Sequence, residues 1–183
     1  VEDFKDYAVS KEISFETVFD PRLESPFAVD VKCMEKIVLN LLNNAFKFTP
    51  KGGVISIQTY YDVTVFKSDF KYHYQEGENL SDNLFGIVVS DSGIGISPES
   101  IGNVFTRFYK IDTSDSQTHI GSGIGLALVK SIVLLHKGSI SIYSERNKGA
   151  DFMVALNRSA DVYDKVDFVS EEYDTERAVV MNS

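Results

Sequence analysis

The sequence predicts an α+β domain with helices on one side of a mixed sheet. Three observations predict it. Two stretches carry apolar residues at helical spacings of three and four. Several short runs alternate or bury continuously, as strands do. The order mixes hairpin-like strand pairs with long helices, and the 43% apolar content supplies a core.

Residues 1–20 form a lead-in, in which Ile13 to Phe19 alternates as a half-buried strand. Pro21 and Pro26 break the next stretch. Asp30 reads as an N-cap, and Val31, Met34, Ile37, Val38, Leu41, Leu42 and Ala45 recur at three and four, which predicts a helix over 30–47. Pro50 and Gly52-Gly53 stop it. Val54 to Phe66 reads as one long strand. Residues 67–83 are polar and tyrosine-rich, and a long hairpin or mobile insert is expected over about 62–84. Leu84 to Gly93 is a buried strand running into a turn. Pro98 opens a short helix toward Phe105, and 110–123 is a loop. Ile124 to His136 is a second core helix ended by Gly138. SISIYSE and DFMVAL close the domain as a hairpin around Lys148-Gly149.

One domain is expected over 1–157 of the 183 residues. From about 158 the pattern fades. Seven acids against Lys165 and Arg177 in 159–183 read as an acidic tail or linker. The net charge of −9 supplies no basic stripe, so no nucleic acid is expected as a partner. Cys33 is the single cysteine, which suits a reducing compartment. No run of 18 apolar residues is present, so no spanning helix is expected. The chain opens at Val1 without a Met and reads as starting mid-protein, so targeting segments are expected outside it.

Three constellations carry chemistry. On the first helix, Asn40, Asn44 and Lys47 lie at i, i+4 and i+7 and share a face, with Asn43 beside it. Carboxamide oxygens can ligate Mg²⁺, and a lysine one turn on can meet phosphate. The alternative is a solvated face that happens to hold Asn. In Asp91-Ser92-Gly93-Ile94-Gly95-Ile96, a strand delivers Asp91, which can accept from an exocyclic amine such as that of adenine. The glycines permit close approach of a flat ligand, and the alternative is an ordinary turn. Gly121-Ser122-Gly123-Ile124-Gly125-Leu126 heads a helix, where unpaired N–H groups hold anions. It matches neither the Rossmann nor the P-loop spacing, and the alternative is a flexible loop.

In this order the three constellations resemble the GHKL superfamily, and specifically the C-terminal catalytic ATP-binding domain of bacterial sensor histidine kinases. NLLNNAFKFTPKGG is similar to the family's N box, and DSGIGI to its first glycine box. VFTRFYK is similar to the F box, GSGIGLALVKSIVLLHKGSI to the second glycine box, and SERNKGADF to the final glycine turn. The resemblance spans about 1–157. It implies the Bergerat fold, a two-layer α/β sandwich, with ATP and Mg²⁺ as cofactors. It implies Asn44 as metal ligand with Asn40 near the same ion, Lys47 on phosphate, and Phe48 near sugar or base. Asp91 then reads the adenine amine, with Gly93, Gly95 and Ile96 shaping its pocket. Phe105, Arg107, Phe108 and Tyr109 line a mobile lid, with Arg107 for phosphate or partner contact. Gly121, Ser122, Gly123, Ile124, Gly125 and Leu126 form lid hinge and phosphate cradle.

Some positions depart from the pattern. Asn103 stands where an acid often precedes the F box, Lys137 breaks a usual Gly-Gly pair, and Asp151 is an odd neighbour for phosphate. Hydrolysing members resemble this layout but carry Glu where Asn40 stands, and an amide cannot take a proton at neutral pH. The resemblance therefore implies transfer of the γ-phosphoryl, with Asn44, Lys47 and Arg107 as catalytic residues. The acceptor is a histidine on an upstream dimerisation domain, and a response-regulator receiver lies downstream. His73, His119 and His136 do not have that acceptor's setting. The alternatives are an anti-sigma-type serine kinase and a degenerate nucleotide-binding module. The isolated domain is expected to be a monomer and cytoplasmic, from a protein that could itself sit in the inner membrane.

Overall fold

The computed structural model describes residues 2–24, 30–78, 83–111 and 122–158. It contains α1 (Glu2–Lys11), β1 (Ser14–Val18), α2 (Val31–Phe48), β2 (Val54–Tyr60), β3 (Tyr72–Glu76) and β4 (Leu84–Asp91). After these come α3 (Pro98–Ile101), α4 (Gly125–Leu135), β5 (Ser139–Glu145) and β6 (Gly149–Asn157). The six strands form one sheet in the order β1-β2-β4-β6-β5-β3. β1 and β2 are parallel, and every other neighbouring pair is antiparallel. The sheet is mixed, as the sequence predicts.

α2 starts where Asp30 accepts from the Cys33 N–H at 3.0 Å, a capping bond that satisfies one orphan donor. Its buried face is Ile37, Leu41, Leu42, Ala45 and Phe46. Each large side chain removed from water there contributes roughly 1.5–3 kcal/mol. That face meets α4 through Val129, Ile132 and Val133, and the sheet through Ile55, Ile57, Ile87, Val89, Ile140, Ile142 and Val154. α1 joins the same layer, where Phe4 stacks on Phe46 with ring centroids 5.5 Å apart.

Three expectations need correction. The first half of the lead-in is a helix, in which Phe4 and Ala8, one turn apart, bury the same face, while the strand expected over Ile13 to Phe19 is β1. The strand from Val54 ends at Tyr60, because Asp62 caps a 3-10 turn over Val63–Val65 by accepting from the Thr64 N–H. The 62–84 stretch is not a hairpin, since β3 pairs with β5 across the sheet rather than with β2. Tyr60, Val63 and Phe66 pack on Leu84, Val88, Met153 and Ala155, so part of the insert covers the sheet face opposite the helices. The expected tail lies outside the described residues except for Arg158, whose guanidinium sits 3.6 Å from the Tyr61 ring centroid.

Candidate functional site

A cavity of about 690 Å³ lies between α2, α4 and the ends of β4 and β6. That volume falls within the range of small-molecule sites. α2 contributes Asn40, Asn43, Asn44, Lys47 and Phe48, and β4 contributes Asp91. The segment 94–96, Tyr109 to Ile111, and Ser122, Gly123, Gly125 and Leu126 complete most of the wall.

Hydrogen bonds and close approaches lock the Asp91 turn to α2. The Asp91 Oδ1 accepts from the Gly93 N–H at 2.8 Å. The Ile94 N–H donates to the Phe48 carbonyl at 3.2 Å. A Cβ at Gly93 would run into that carbonyl, so Gly93 allows the turn to lie against the helix end. Gly95 has φ +59°, and a Cβ there would collide with the Glu145 carbonyl. Both glycines are therefore needed to hold Asp91 where it is. Burial pushes the Asp91 carboxyl up to about 7, and the Asp151 charge adds to this, while the Gly93 and Ala150 N–H groups act in the opposite sense.

The other end of the cavity is cationic and amide-rich. The Asn40 Nδ2 donates to the Lys36 carbonyl at 2.7 Å. Its oxygen points at Gly125, where a Cβ would come within 2.7 Å of it. The missing side chain lets the start of α4 meet the Asn40 carboxamide. Asn44 makes no side-chain hydrogen bond among the described residues. Lys47 lies 4.5 Å from the Phe48 ring centroid, and burial, reinforced by the Lys110 charge, lowers its pKa. Among the described residues neither lysine pairs with a carboxylate. Lys11 from α1 lines the same cavity. The first turn of α4 has no side-chain cap, which leaves its N–H groups available. An acidic protein thus gathers three lysines and a helix start at one cavity.

Of the residues singled out from sequence, Asn40, Asn44, Lys47, Phe48, Asp91, Gly95, Ile96, Tyr109, Ser122, Gly123, Gly125 and Leu126 come together on the wall. Gly93 lies beneath it. Phe105 is in the core at 3% exposure, stacked on Tyr74, rather than on a lid surface. Arg107 and Ile124 are exposed and off the wall. Gly121 lies outside the described residues. The Phe108 N–H donates to the Gly123 carbonyl at 2.8 Å, which ties together the two segments flanking 112–121. Sequence reasoning missed Tyr7, Lys11 and Lys110 on the wall. The signal for the first two was the helical spacing of Phe4, Tyr7, Ala8 and Lys11. Lys110 stood at the end of the F box-like run without being singled out.

A mixed sheet backed by helices, with an acid at the end of a central strand and a glycine-rich helix start across the cavity from it, defines an α/β sandwich with a small-molecule cavity between its two layers. The family of histidine kinase-, DNA gyrase B- and HSP90-like ATPases matches residues 29–160, and the chain belongs to it. Hybrid signal transduction histidine kinase D of Dictyostelium discoideum is 34% identical over 154 residues, covering 84% of this chain and 9% of that protein. Sensor histidine kinase TmoS of Ectopseudomonas mendocina is 35% identical over 159 residues, covering 86% of this chain and 14% of that protein. The chain therefore spans a small part of these relatives' length. The fold is shared with the mycobacterial sensor histidine kinase MprB, at a TM-score of 0.60 and 24% identity, covering 86% of this chain and 91% of that one. It is also shared with the catalytic domain of histidine kinase ThkA, at a TM-score of 0.63 and 20% identity, over 86% and 88%. Full-length ShkA in complex with AMPPNP matches at a TM-score of 0.62 and 22% identity, over 87% and 28%. Among the described residues no helix is long and apolar enough to cross a membrane.

Proposed function

We propose that this chain is the ATP-binding catalytic domain of a sensor histidine kinase, which presents the γ-phosphoryl of ATP·Mg²⁺ to a histidine on a separate dimerisation domain. The observation that carries the reading is the division of one cavity into a carboxylate end at Asp91 and an amide-and-lysine end at Asn40, Asn44 and Lys47. Phe48, beside the Asp91 turn, and Asn40, beside α4, are eight residues apart, or about 12 Å along the helix. This separation suits a ligand with a hydrogen-bonding head and a polyanionic tail.

The residues fit the nucleotide and its metal. Asp91 accepts the exocyclic amine while Gly93 holds its other bond in place. Gly95, Ile96 and Phe48 give the base a flat apolar slot. Lys47 and Lys110 supply charge that no carboxylate among the described residues neutralises, and the uncapped start of α4 offers N–H donors to phosphate. Asn44, with Asn40 beside it, would hold Mg²⁺ through carboxamide oxygens. Magnesium, when bound, neutralises the phosphate oxygens during transfer. Arg107, exposed, meets phosphate or the partner. Asn40 stands one turn before Asn44, where hydrolysing relatives of this layout carry a general base. Its amide accepts no proton at neutral pH, which favours transfer over hydrolysis.

His73 stacks on Tyr143 at the sheet edge with centroids 4.4 Å apart, and His136 caps α4. Neither faces the nucleotide cavity. The chain alone should bind ATP in a Mg²⁺-dependent way and remain unphosphorylated. Asn44→Ala, which removes the carboxamide oxygen, should abolish the metal dependence. Addition of a dimerisation domain carrying the acceptor histidine should yield phosphohistidine, and a cognate receiver should then discharge it. Phosphorylation of the chain by itself, or of a serine on the added partner, would overturn the assignment.

A further inference from the structure

A second cluster of ligand-type side chains lies at the far ends of the two helices that wall the nucleotide cavity. Asp30 caps the start of α2, Cys33 lies in its first turn, and His136 caps the end of α4. One ligand atom from each of the three lies within 4.8 Å of the others. A separate cavity of about 10 Å³ opens against all three, lined further by Met34, Ile132 and Leu156. That is room for about one water-sized sphere, and a divalent transition-metal ion is smaller. The His136 Nδ1 lies 2.8 Å from the Ile132 carbonyl. A carbonyl only accepts, so Nδ1 carries the proton, and Nε2 is the ring's acceptor atom in the neutral imidazole. Imidazoles that bind metals are commonly oriented in this way.

We propose that Asp30, Cys33 and His136 form a zinc site that ties the start of α2 to the end of α4. The donor set decides the metal. A thiolate beside an imidazole selects a borderline-soft ion such as Zn²⁺ over Mg²⁺ or Ca²⁺, and the carboxylate supplies a third ligand. Three protein ligands leave the fourth tetrahedral position to water. Burial pushes the Cys33 thiol up to about 11, so uptake at neutral pH expels its proton. The site is separate from the amide-lined Mg²⁺ position, which offers only oxygen donors, and it does not depend on the proposed kinase activity.

The test is titration of the reduced chain with Co²⁺, followed by displacement with Zn²⁺. A thiolate-to-cobalt charge-transfer band at one equivalent, bleached by zinc, is expected. Cys33→Ser should lose the band entirely. His136→Gln should lose tight binding. Asp30→Asn keeps a good helix cap but removes a charged ligand, so it should weaken cobalt binding while the chain without metal stays folded. A wild-type circular dichroism spectrum reports that each variant is folded. Absence of the band in the wild-type chain, or binding that survives in Cys33→Ser, would overturn the site. An Asp30 variant that loses stability without metal but keeps full cobalt affinity would reduce Asp30 to a cap.

Discussion

Asp91→Asn should make the protein more stable and unable to bind ATP, and the stability gain should depend on pH. The carboxyl is raised from 3.8 to about 7, chiefly by burial and secondarily by the Asp151 charge. A folded-state pKa above the unfolded value means that the native state holds its proton more tightly. The stability this contributes is fully present below about pH 4 and is lost as pH rises through 7. Ionisation in the folded protein costs up to about 4 kcal/mol, and solvent access to a half-buried group reduces this. A gain of about 1–3 kcal/mol at pH 8 is expected for the amide, or several degrees of thermal midpoint. At pH 4 the gain should vanish. The amide fails as an adenine reader because it has one acceptor oxygen. If that oxygen serves the Gly93 N–H, the amine of the base meets an NH₂ group. In the wild type, the ionised fraction rises from about a tenth at pH 6 to nine-tenths at pH 8, so ATP affinity should improve about tenfold. Thermal unfolding at pH 4, 6 and 8 with parallel ATP titrations measures all of this. A variant that melts lower than wild type at pH 8, or that binds ATP normally, would refute the reasoning.

The cavity walls give two further expected outcomes. Gly95→Ala should cost on the order of 2–4 kcal/mol in denaturant unfolding, because φ +59° is strained for alanine and the new methyl meets the Glu145 carbonyl. Gly52→Ala, at φ +82° with nothing nearby, should cost only about 1 kcal/mol. Equal costs at the two positions would contradict the steric argument. Lys110→Ala should weaken ATP binding by about tenfold, the loss of one charge-assisted contact, and flatten its salt dependence. It should leave stability unchanged or slightly raised, since it relieves repulsion at Lys47.

The parts legible in the sequence were those governed by local pattern. α2 showed its apolar stripe and cap, α4 its apolar run, and the β5–β6 hairpin its glycine turn. Asp91 was legible because a buried strand delivered it into two glycines that tolerate no side chain. The illegible parts depend on partners distant in sequence. α1 has a weak apolar face of Phe4 and Ala8 that acquires meaning only against Phe46. β3 is short and polar, with only Tyr72 and Tyr74 packed on the core, and it pairs with a strand nearly seventy residues later. Phe105 looked like a lid residue from its motif, yet Tyr74 of β3 and the core claim it. Lys11 and Lys110 show why a net charge of −9 was a poor guide to the local field. A triphosphate site needs a few cations without carboxylate partners, not a basic protein.

Asp151 links the nucleotide cavity to the insert. In sequence it stood beside the final glycine turn, an odd neighbour for phosphate. Strand periodicity removes the oddity. Ala150 and Phe152 face the cavity, so Asp151 projects to the opposite side of the sheet. There the insert meets it, and the Ser68 hydroxyl donates to its carboxylate at 2.5 Å. The same segment supplies Val63 and Phe66 over the second sheet face. The charge that lifts Asp91 is thus held by the insert, on the far side of the sheet from the nucleotide. Ser68→Ala should leave the fold and the cavity wall intact, yet remove the hydroxyl that donates to the Asp151 carboxylate. Any change in the pH midpoint of ATP binding would then come through the sheet, because Ser68 does not line the nucleotide cavity. A large loss of affinity at pH 8, where Asp91 is already ionised, would show instead that the insert shapes the pocket mechanically.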